Sequence, residues 1–187
     1  GGANTASCLQ NAEQMGEGWS DWFAMMVLIK PTDNGATPRT IGTYANNQPT
    51  TGAGIRRYPY STDMSINPLT FVNSNIANLP HDRGEFMATV LWDLTWAYVA
   101  KYGISANIYT GTAGNNKVMR LVIDALKLQP CGPSTVDFRN ALIAADQATT
   151  GGQDYCLITE VFRRRGMGLN ASSGLATVAT DQVEDFT

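Results

Sequence analysis

The fold is decided by the stretch from Asp82 to Tyr102, which reads DRGEFMATVLWDLTWAYVAKY. Its apolar side chains recur at helical spacing and form two separate stripes. The stripes are Met87, Val90, Leu91, Leu94 and Tyr98, and Trp92, Trp96 and Val99. A helix that is apolar on two faces belongs in the centre of a bundle. Asp82 and Glu85 have the spacing of a capping pair, and Gly103 stands where a terminating glycine is common.

Four further stretches have helical periodicity, and turn residues separate most of them. The predicted helices are 10–29, 115–128, 134–149 and 154–165, with Ser134 and Asp137 at the start of the third. Gly16 and Gly18 weaken the first by up to about 1 kcal/mol each. Something must compensate for them, such as the close approach of a neighbouring segment.

Residues 31–80 are dominated by Asn, Thr, Gly and Pro, which indicates a long ordered loop region or a set of short pieces. The region contains a basic and aromatic cluster, Arg56, Arg57, Tyr58 and Tyr60. A packed, hydrogen-bonded loop is favoured for this cluster over a substrate contact. The sequence therefore predicts a mainly α protein, a bundle of about five helices with a long loop region on one side.

Composition excludes several classes of function. The chain has 187 residues, 43% of them apolar, which is enough for one domain with a real core. Its net charge of −3 gives no basic footprint for nucleic acid. No apolar run reaches the 18 or so residues that a membrane span needs. With one histidine in the chain, a site that needs two must take the other from elsewhere.

The three cysteines, Cys8, Cys131 and Cys156, leave one over if two of them pair. Few charges and many Thr, Asn and Gly residues suggest an extracellular protein, in which Cys131 and Cys156 would pair if the fold brings them together. Three buried free thiols are the alternative, and the sequence alone leaves both open.

Glu17 and Asp21 are the first candidates for chemistry. They are four residues apart, so on a helix they share one face, and they lie among apolar residues where an unpaired carboxylate is costly. His81 is the second candidate, because it precedes the strongest helix and could act as a proton shuttle or an oxyanion donor.

The string Met15-Gly16-Glu17-Gly18-Trp19-Ser20-Asp21 resembles the Gly-Glu-Gly-Trp-Ser-Asp motif of the fungalysins, secreted zinc metalloendopeptidases related to thermolysin. Further collinear matches extend the resemblance over residues 1–168. They are Arg57-Tyr58-Pro59-Tyr60-Ser61-Thr62, the Met64 to Thr70 segment, His81-x-x-Gly84-Glu85 followed by Leu91-Trp92, Leu128-Gln129-Pro130-Cys131, Ala144-x-Asp146 and Arg164-Arg165-Gly166-x-Gly168.

The resemblance implies roles for these residues. Glu17 would be the third zinc ligand, Asp21 would orient a zinc-bound histidine, and His81 would stabilise the tetrahedral oxyanion. It also implies a disulfide between Cys131 and Cys156. It suggests that residues 1–168 are the C-terminal helical lobe of a thermolysin-like protease. The small, polar residues of 169–187 indicate a loose polar tail.

One departure limits what the chain can do. The family's His-Glu-x-x-His helix, which supplies two zinc ligands and the general base, would lie upstream of residue 1. We therefore expect a C-terminal part of a secreted protease, cut just after its catalytic helix, that acts on protein or peptide substrates only with its missing N-terminal catalytic lobe. This part alone should be inactive and hold no catalytic zinc. Glu17 and Asp21 should line an open, wet face with Trp19 or Trp22 exposed.

Two other readings compete with this one. The first is a non-catalytic helical module for binding or structure. The second is a glycosidase that uses Glu17 and Asp21. Their spacing of one helical turn argues against it, because the two acids of a glycosidase face each other across a sugar.

Overall fold

The computed structural model describes residues 6–74, 80–175 and 177–187, so positions 1–5, 75–79 and 176 of the regions predicted above lie outside it. Five α-helices form the described structure: α1 Gly16–Leu28, α2 His81–Tyr102, α3 Gly114–Leu128, α4 Thr135–Thr150 and α5 Tyr155–Arg164. Three short 3₁₀ helices add to them, at Ala6–Leu9, Tyr44–Asn46 and Phe71–Ser74. The described residues contain isolated β-bridges but no named strand. The prediction of a mainly α bundle is confirmed.

Helix α2 lies at the centre of the bundle and contacts α1, α3 and α5. Both of its predicted stripes face neighbours, and fifteen of its residues are buried. As predicted, it ends at Gly103. The Gly103 N–H donates to the Val99 carbonyl at 2.8 Å. Its start differs from the prediction, because Pro80 precedes the helix and no side chain caps it. The Glu85 carboxylate instead accepts from Arg57 Nε at 2.5 Å and the Tyr58 N–H at 2.8 Å, so the predicted capping pair is wrong.

Helices α1 and α2 cross at a pair of glycines, Gly18 and Gly84. A Cβ atom added to Gly18 would overlap the carbonyl group of Gly84, and one added to Gly84 would lie 2.9 Å from the Glu17 Cβ. This contact is the close approach expected for the first helix, and it involves Gly18 but not Gly16. It also brings the start of α2, with His81, next to Glu17 on α1.

Helix α1 begins at Gly16, six residues later than the predicted start at 10. The preceding Glu13 is fully buried, and its carboxylate accepts from the Thr135 N–H at 3.0 Å, which commits this segment to the start of α4. Trp19 and Trp22 are 6% and 0% exposed, so the expected exposure of apolar surface there is wrong. Their rings pack inside the bundle, where Trp19 contacts Phe138 and Trp22 contacts Phe23.

Arg165, at the end of α5, fixes the long loop region to the bundle. Its guanidinium is fully buried and pairs with Asp93 of α2 at 2.7 Å. The same group donates to three loop carbonyls, those of Asn67 at 2.6 Å, Leu69 at 3.0 Å and Ser61 at 3.3 Å. Arg165 thus ties residues 61–69 of the region to α2, although the region has little secondary structure.

The disulfide joins Cys8 to Cys131, whose Cα atoms are 4.5 Å apart, and Cys156 is free and exposed. The predicted pairing of Cys131 with Cys156 is therefore wrong. Cys131 precedes α4 and Cys156 follows it, and the 16 residues of that helix span about 24 Å. Cys8 lies beside Cys131 instead, where the Gly132 N–H donates to the Cys8 carbonyl at 2.8 Å.

The tail beyond residue 168 packs against the bundle, so the expectation that it is loose is wrong. Isolated bridges pair Ser172 with Val183 and Met167 with Asp185. The buried Gln182 amide donates to the Glu13 carboxylate and, at 3.3 Å, to the Ser173 carbonyl. The division into a lobe at 1–168 and a tail at 169–187 stays a prediction. None of the helices described here is long and apolar enough to cross a bilayer.

Candidate metal centre

Glu17 and Asp21 lie on α1, one turn apart, and their environments differ sharply. The Glu17 side chain is 42% exposed, whereas that of Asp21 is 7% exposed. The expectation that both carboxylates line an open, wet face therefore holds for Glu17 and is wrong for Asp21. The cause is the loop region, which covers Asp21 with two side chains.

Arg56 is the first of these side chains, and its guanidinium, 6% exposed, bridges the two carboxylates. It grips Asp21 in a fork, from Nε to Oδ2 at 2.6 Å and from Nη2 to Oδ1 at 3.0 Å. Its Nη2 also reaches Glu17 Oε2 at 3.2 Å. Such bidentate, charge-assisted pairs are among the strongest hydrogen bonds in proteins. The sequence favoured a packed, hydrogen-bonded loop for this cluster, and Arg56 is indeed buried and hydrogen-bonded.

The second side chain is Tyr60, which has no exposed surface. Its hydroxyl donates to Asp21 Oδ2 at 2.5 Å. Burial, and then the Asp21 carboxylate, raises the pKa of the Tyr60 hydroxyl well above its ordinary value. Tyr60 is therefore a fixed donor toward Asp21 at any physiological pH.

His81, the first residue of α2, completes the group. Its Nδ1 lies 3.3 Å from Glu17 Oε2 and 3.4 Å from Arg56 Nη1, and its side chain is 47% exposed. In the tautomer in which Nδ1 accepts from Arg56, the proton is on Nε2, the nitrogen that has neither of these contacts. That tautomer leaves an N–H donor for a ligand.

The hydrogen bond from Arg56 is the main cause that lowers the pKa of the Glu17 carboxyl, and the positive charge of Arg56 acts in the same direction. Glu17 is thus a carboxylate through mildly acidic pH, the state in which an Asp or Glu side chain binds a metal ion. The two residues that follow the half-exposed His81 point into the protein: Asp82 and Arg83 are buried, and Arg83 donates to the Ala179 carbonyl at 2.9 Å.

The structure therefore brings together all three residues that the sequence singled out, Glu17, Asp21 and His81. Sequence reasoning did not assign Arg56 and Tyr60 to this site. The sequence placed both residues in a basic and aromatic cluster, and Tyr60 also lies in a segment that resembles the family. Neither observation says where a loop side chain will lie.

The residues present fit one part of a zinc site. Glu17 offers a half-exposed, ionised carboxylate, a usual zinc ligand type, next to a buried acid. Across the described ranges, however, no group of three or more His, Cys, Asp or Glu side chains could hold a metal ion. A catalytic zinc takes about three protein ligands. Further ligands would have to come from outside the described residues.

Comparisons with known proteins first define a class, the metalloproteinases. The chain is 41% identical over 179 residues to the extracellular metalloproteinase MEP of Neosartorya fischeri, an alignment that covers 91% of this chain and 28% of that protein. It is 38% identical over 182 residues to extracellular metalloproteinase 2 of Trichophyton tonsurans, covering 93% and 28%. It is 39% identical over 180 residues to the extracellular metalloproteinase MEP of Pyricularia oryzae, covering 91% and 28%.

The model of the Fungalysin metallopeptidase (M36) family matches residues 1–171. The chain belongs to this family, and the resemblance found in the sequence is confirmed. The chain spans about 28% of the length of the three relatives named above.

Proposed function

We propose that this chain is the C-terminal helical lobe of an extracellular zinc metalloendopeptidase that cleaves protein or peptide substrates. One observation carries the proposal. Within the Gly-Glu-Gly-Trp-Ser-Asp motif, Glu17 is half-exposed and ionised, while Asp21, one turn on, is buried and held by Arg56 at 2.6 Å. That is the arrangement expected of a metal ligand and of an acid that orients a second ligand.

The three candidate residues have distinct tasks in this proposal. Zinc, when bound, supplies the Lewis acidity that activates water and polarises the substrate carbonyl. Glu17 binds the metal, and Asp21 accepts a hydrogen bond from the ring N–H of a ligating histidine and so fixes its orientation. His81 donates from Nε2 to the oxyanion that develops on the substrate carbonyl.

The described chain supplies neither a second ligand nor a general base, so we expect it to be inactive alone. In the full-length protein, an N-terminal lobe with a His-Glu-x-x-His helix would supply both and would close the peptide cleft over Glu17 and His81. Arg56 donates to both carboxylates and offsets one of their two negative charges, so each acid has a cationic partner within the lobe itself.

This last point favours one alternative, a helical module that folds alone and performs no chemistry. The glycosidase reading loses support, because Arg56 occupies the space between Glu17 and Asp21, and Asp21 is too buried to meet a sugar. Retaining or inverting enzymes need two carboxylates that face the substrate from opposite sides.

The test is made in the full-length protein. Glu17→Ala should abolish peptidase activity and greatly weaken zinc binding, and Asp21→Asn should weaken them by about 10–100-fold. Glu160→Ala, an exposed glutamate on α5, is the matched control and should change neither. Full activity in Glu17→Ala would refute the proposal, as would zinc-dependent proteolysis by this chain alone. A full-length protein without peptidase activity would favour the non-catalytic module.

A further inference from the structure

Tyr60 is a buried titratable residue with no task in the mechanism above. It lies on the loop side of the site and reaches it through one hydrogen bond, from its hydroxyl to Asp21 Oδ2 at 2.5 Å. It makes no contact with Glu17 or His81 among the hydrogen bonds of the described residues. Whatever Tyr60 contributes to the site must therefore pass through Asp21.

The lone pairs of Asp21 show what that contribution is. A carboxylate offers about four acceptor positions, two on each oxygen. Oδ2 accepts from Arg56 Nε and from Tyr60, and Oδ1 accepts from Arg56 Nη2. Three positions are filled by donors from the same loop. One remains, on Oδ1, and it matches the single N–H that a metal-bound imidazole presents.

Tyr60 itself is held firmly. Its N–H donates to the Arg39 carbonyl at 2.8 Å, and its own carbonyl accepts from the Arg39 N–H at 3.0 Å. The ring is fully buried in the core cluster, so its hydroxyl has one fixed position. Without that hydroxyl, Oδ2 would have a free acceptor position, and the carboxylate could turn within the grip of Arg56.

We propose that Tyr60 is a positioning residue of this metallopeptidase: together with Arg56 it saturates three acceptor positions of Asp21 and reserves the fourth for the histidine that binds the metal. The proposal rests on the function proposed above and adds a residue beyond its ligands. Tyr60 neither binds the metal nor touches the substrate.

The experiment compares Tyr60→Phe with Tyr58→Phe in the full-length protein. Phenylalanine occupies the same space without the hydroxyl, and circular dichroism checks that both variants fold. Tyr58 lies two residues away on the same loop, and no hydrogen bond of its hydroxyl is recorded among the described residues. Tyr60→Phe should weaken zinc binding about tenfold in competition with a chelator and lower kcat similarly, with KM within about twofold. Tyr58→Phe should change none of these.

A double-mutant cycle separates positioning from a general loss of stability. If Tyr60 acts through Asp21, then Tyr60→Phe added to Asp21→Asn should change zinc affinity by less than about twofold. A tenfold loss in both backgrounds, or wild-type zinc affinity in Tyr60→Phe, would overturn the proposal. The failure of the proposed function looks different, because the wild-type protein would then bind no zinc or would not need Glu17.

Discussion

Replacing Gly18 with alanine should force helices α1 and α2 apart. The new Cβ would overlap the Gly84 carbonyl group and would lie 2.8 Å from the Gly84 Cα, where ordinary contact begins at 3.4 Å. These are backbone atoms of a central helix, so no side-chain rotation can relieve the contact. One of the two helices must shift.

The cost follows from two opposing effects. Overpacking a core usually costs about 1–3 kcal/mol, and contact with fixed backbone atoms belongs at the upper end of that range. Alanine returns up to about 1 kcal/mol because it is the better helix former. The expected net loss is about 2 kcal/mol, which lowers the thermal midpoint of a domain of this size by about 4–8 °C.

Thermal and urea unfolding measure this loss, and Gly16→Ala is the matched control two residues away. A Cβ at Gly16 would meet only side-chain ends, Gln14 Oε1 at 3.2 Å and Leu9 Cδ1 at 3.8 Å. Gly16→Ala should therefore leave stability unchanged or raise it by up to about 1 kcal/mol. A Gly18→Ala protein as stable as the wild type would refute the account of the helix crossing.

Two further predictions concern the cysteines and Glu17. Alkylation without reduction should label Cys156 alone, and label on Cys8 or Cys131 would contradict the pairing. Replacing Cys8 and Cys131 by serine should lower the free energy of unfolding by about 5 kcal/mol in the chain-entropy model, because the bond joins residues 123 positions apart. Arg56→Gln should raise the pKa of Glu17 in an NMR titration, because the hydrogen bond from Arg56 is the main cause of its lowered value. A carboxyl group whose pKa is lower in the folded than in the unfolded protein stabilises the fold at pH values above its unfolded pKa, and this stabilisation is lost as the pH falls toward its folded pKa. Arg56→Gln should therefore make the free energy of unfolding less dependent on acid pH. An unchanged Glu17 titration would contradict this prediction.

Helical periodicity predicted the bundle well because burial on a helix repeats along the chain. The interval 82–102 differs from α2 by one residue at its start, and Ser134 and Asp137, placed at the start of their helix from sequence, form a capping box on α4. Helix α1 was predicted six residues too early, because the pattern could not show that Glu13 turns toward α4.

The sequence identified Glu17 and Asp21 by their spacing on one helix, and His81 by its place before another helix and by the family resemblance. Glu17 and Asp21 lie on one helix, so their spacing placed them together. Arg56 and Tyr60 come from a loop at 35 and 39 residues from Asp21, and no local pattern encodes that contact. The predicted pairing of the cysteines was wrong for the same reason, since Cys8 and Cys131 lie 123 positions apart in the sequence.

The anchor at Arg165 has a consequence for how the site is assembled. It binds the loop carbonyls of Ser61 and Asn67 across 104 and 98 residues. Contacts across such separations carry a large cost in chain entropy, because a long loop must be closed to make them. On a ribosome, residue 165 emerges about a hundred residues after the loop that it orders. The loop that follows Tyr60 therefore gains this anchor only after α5 has been synthesised.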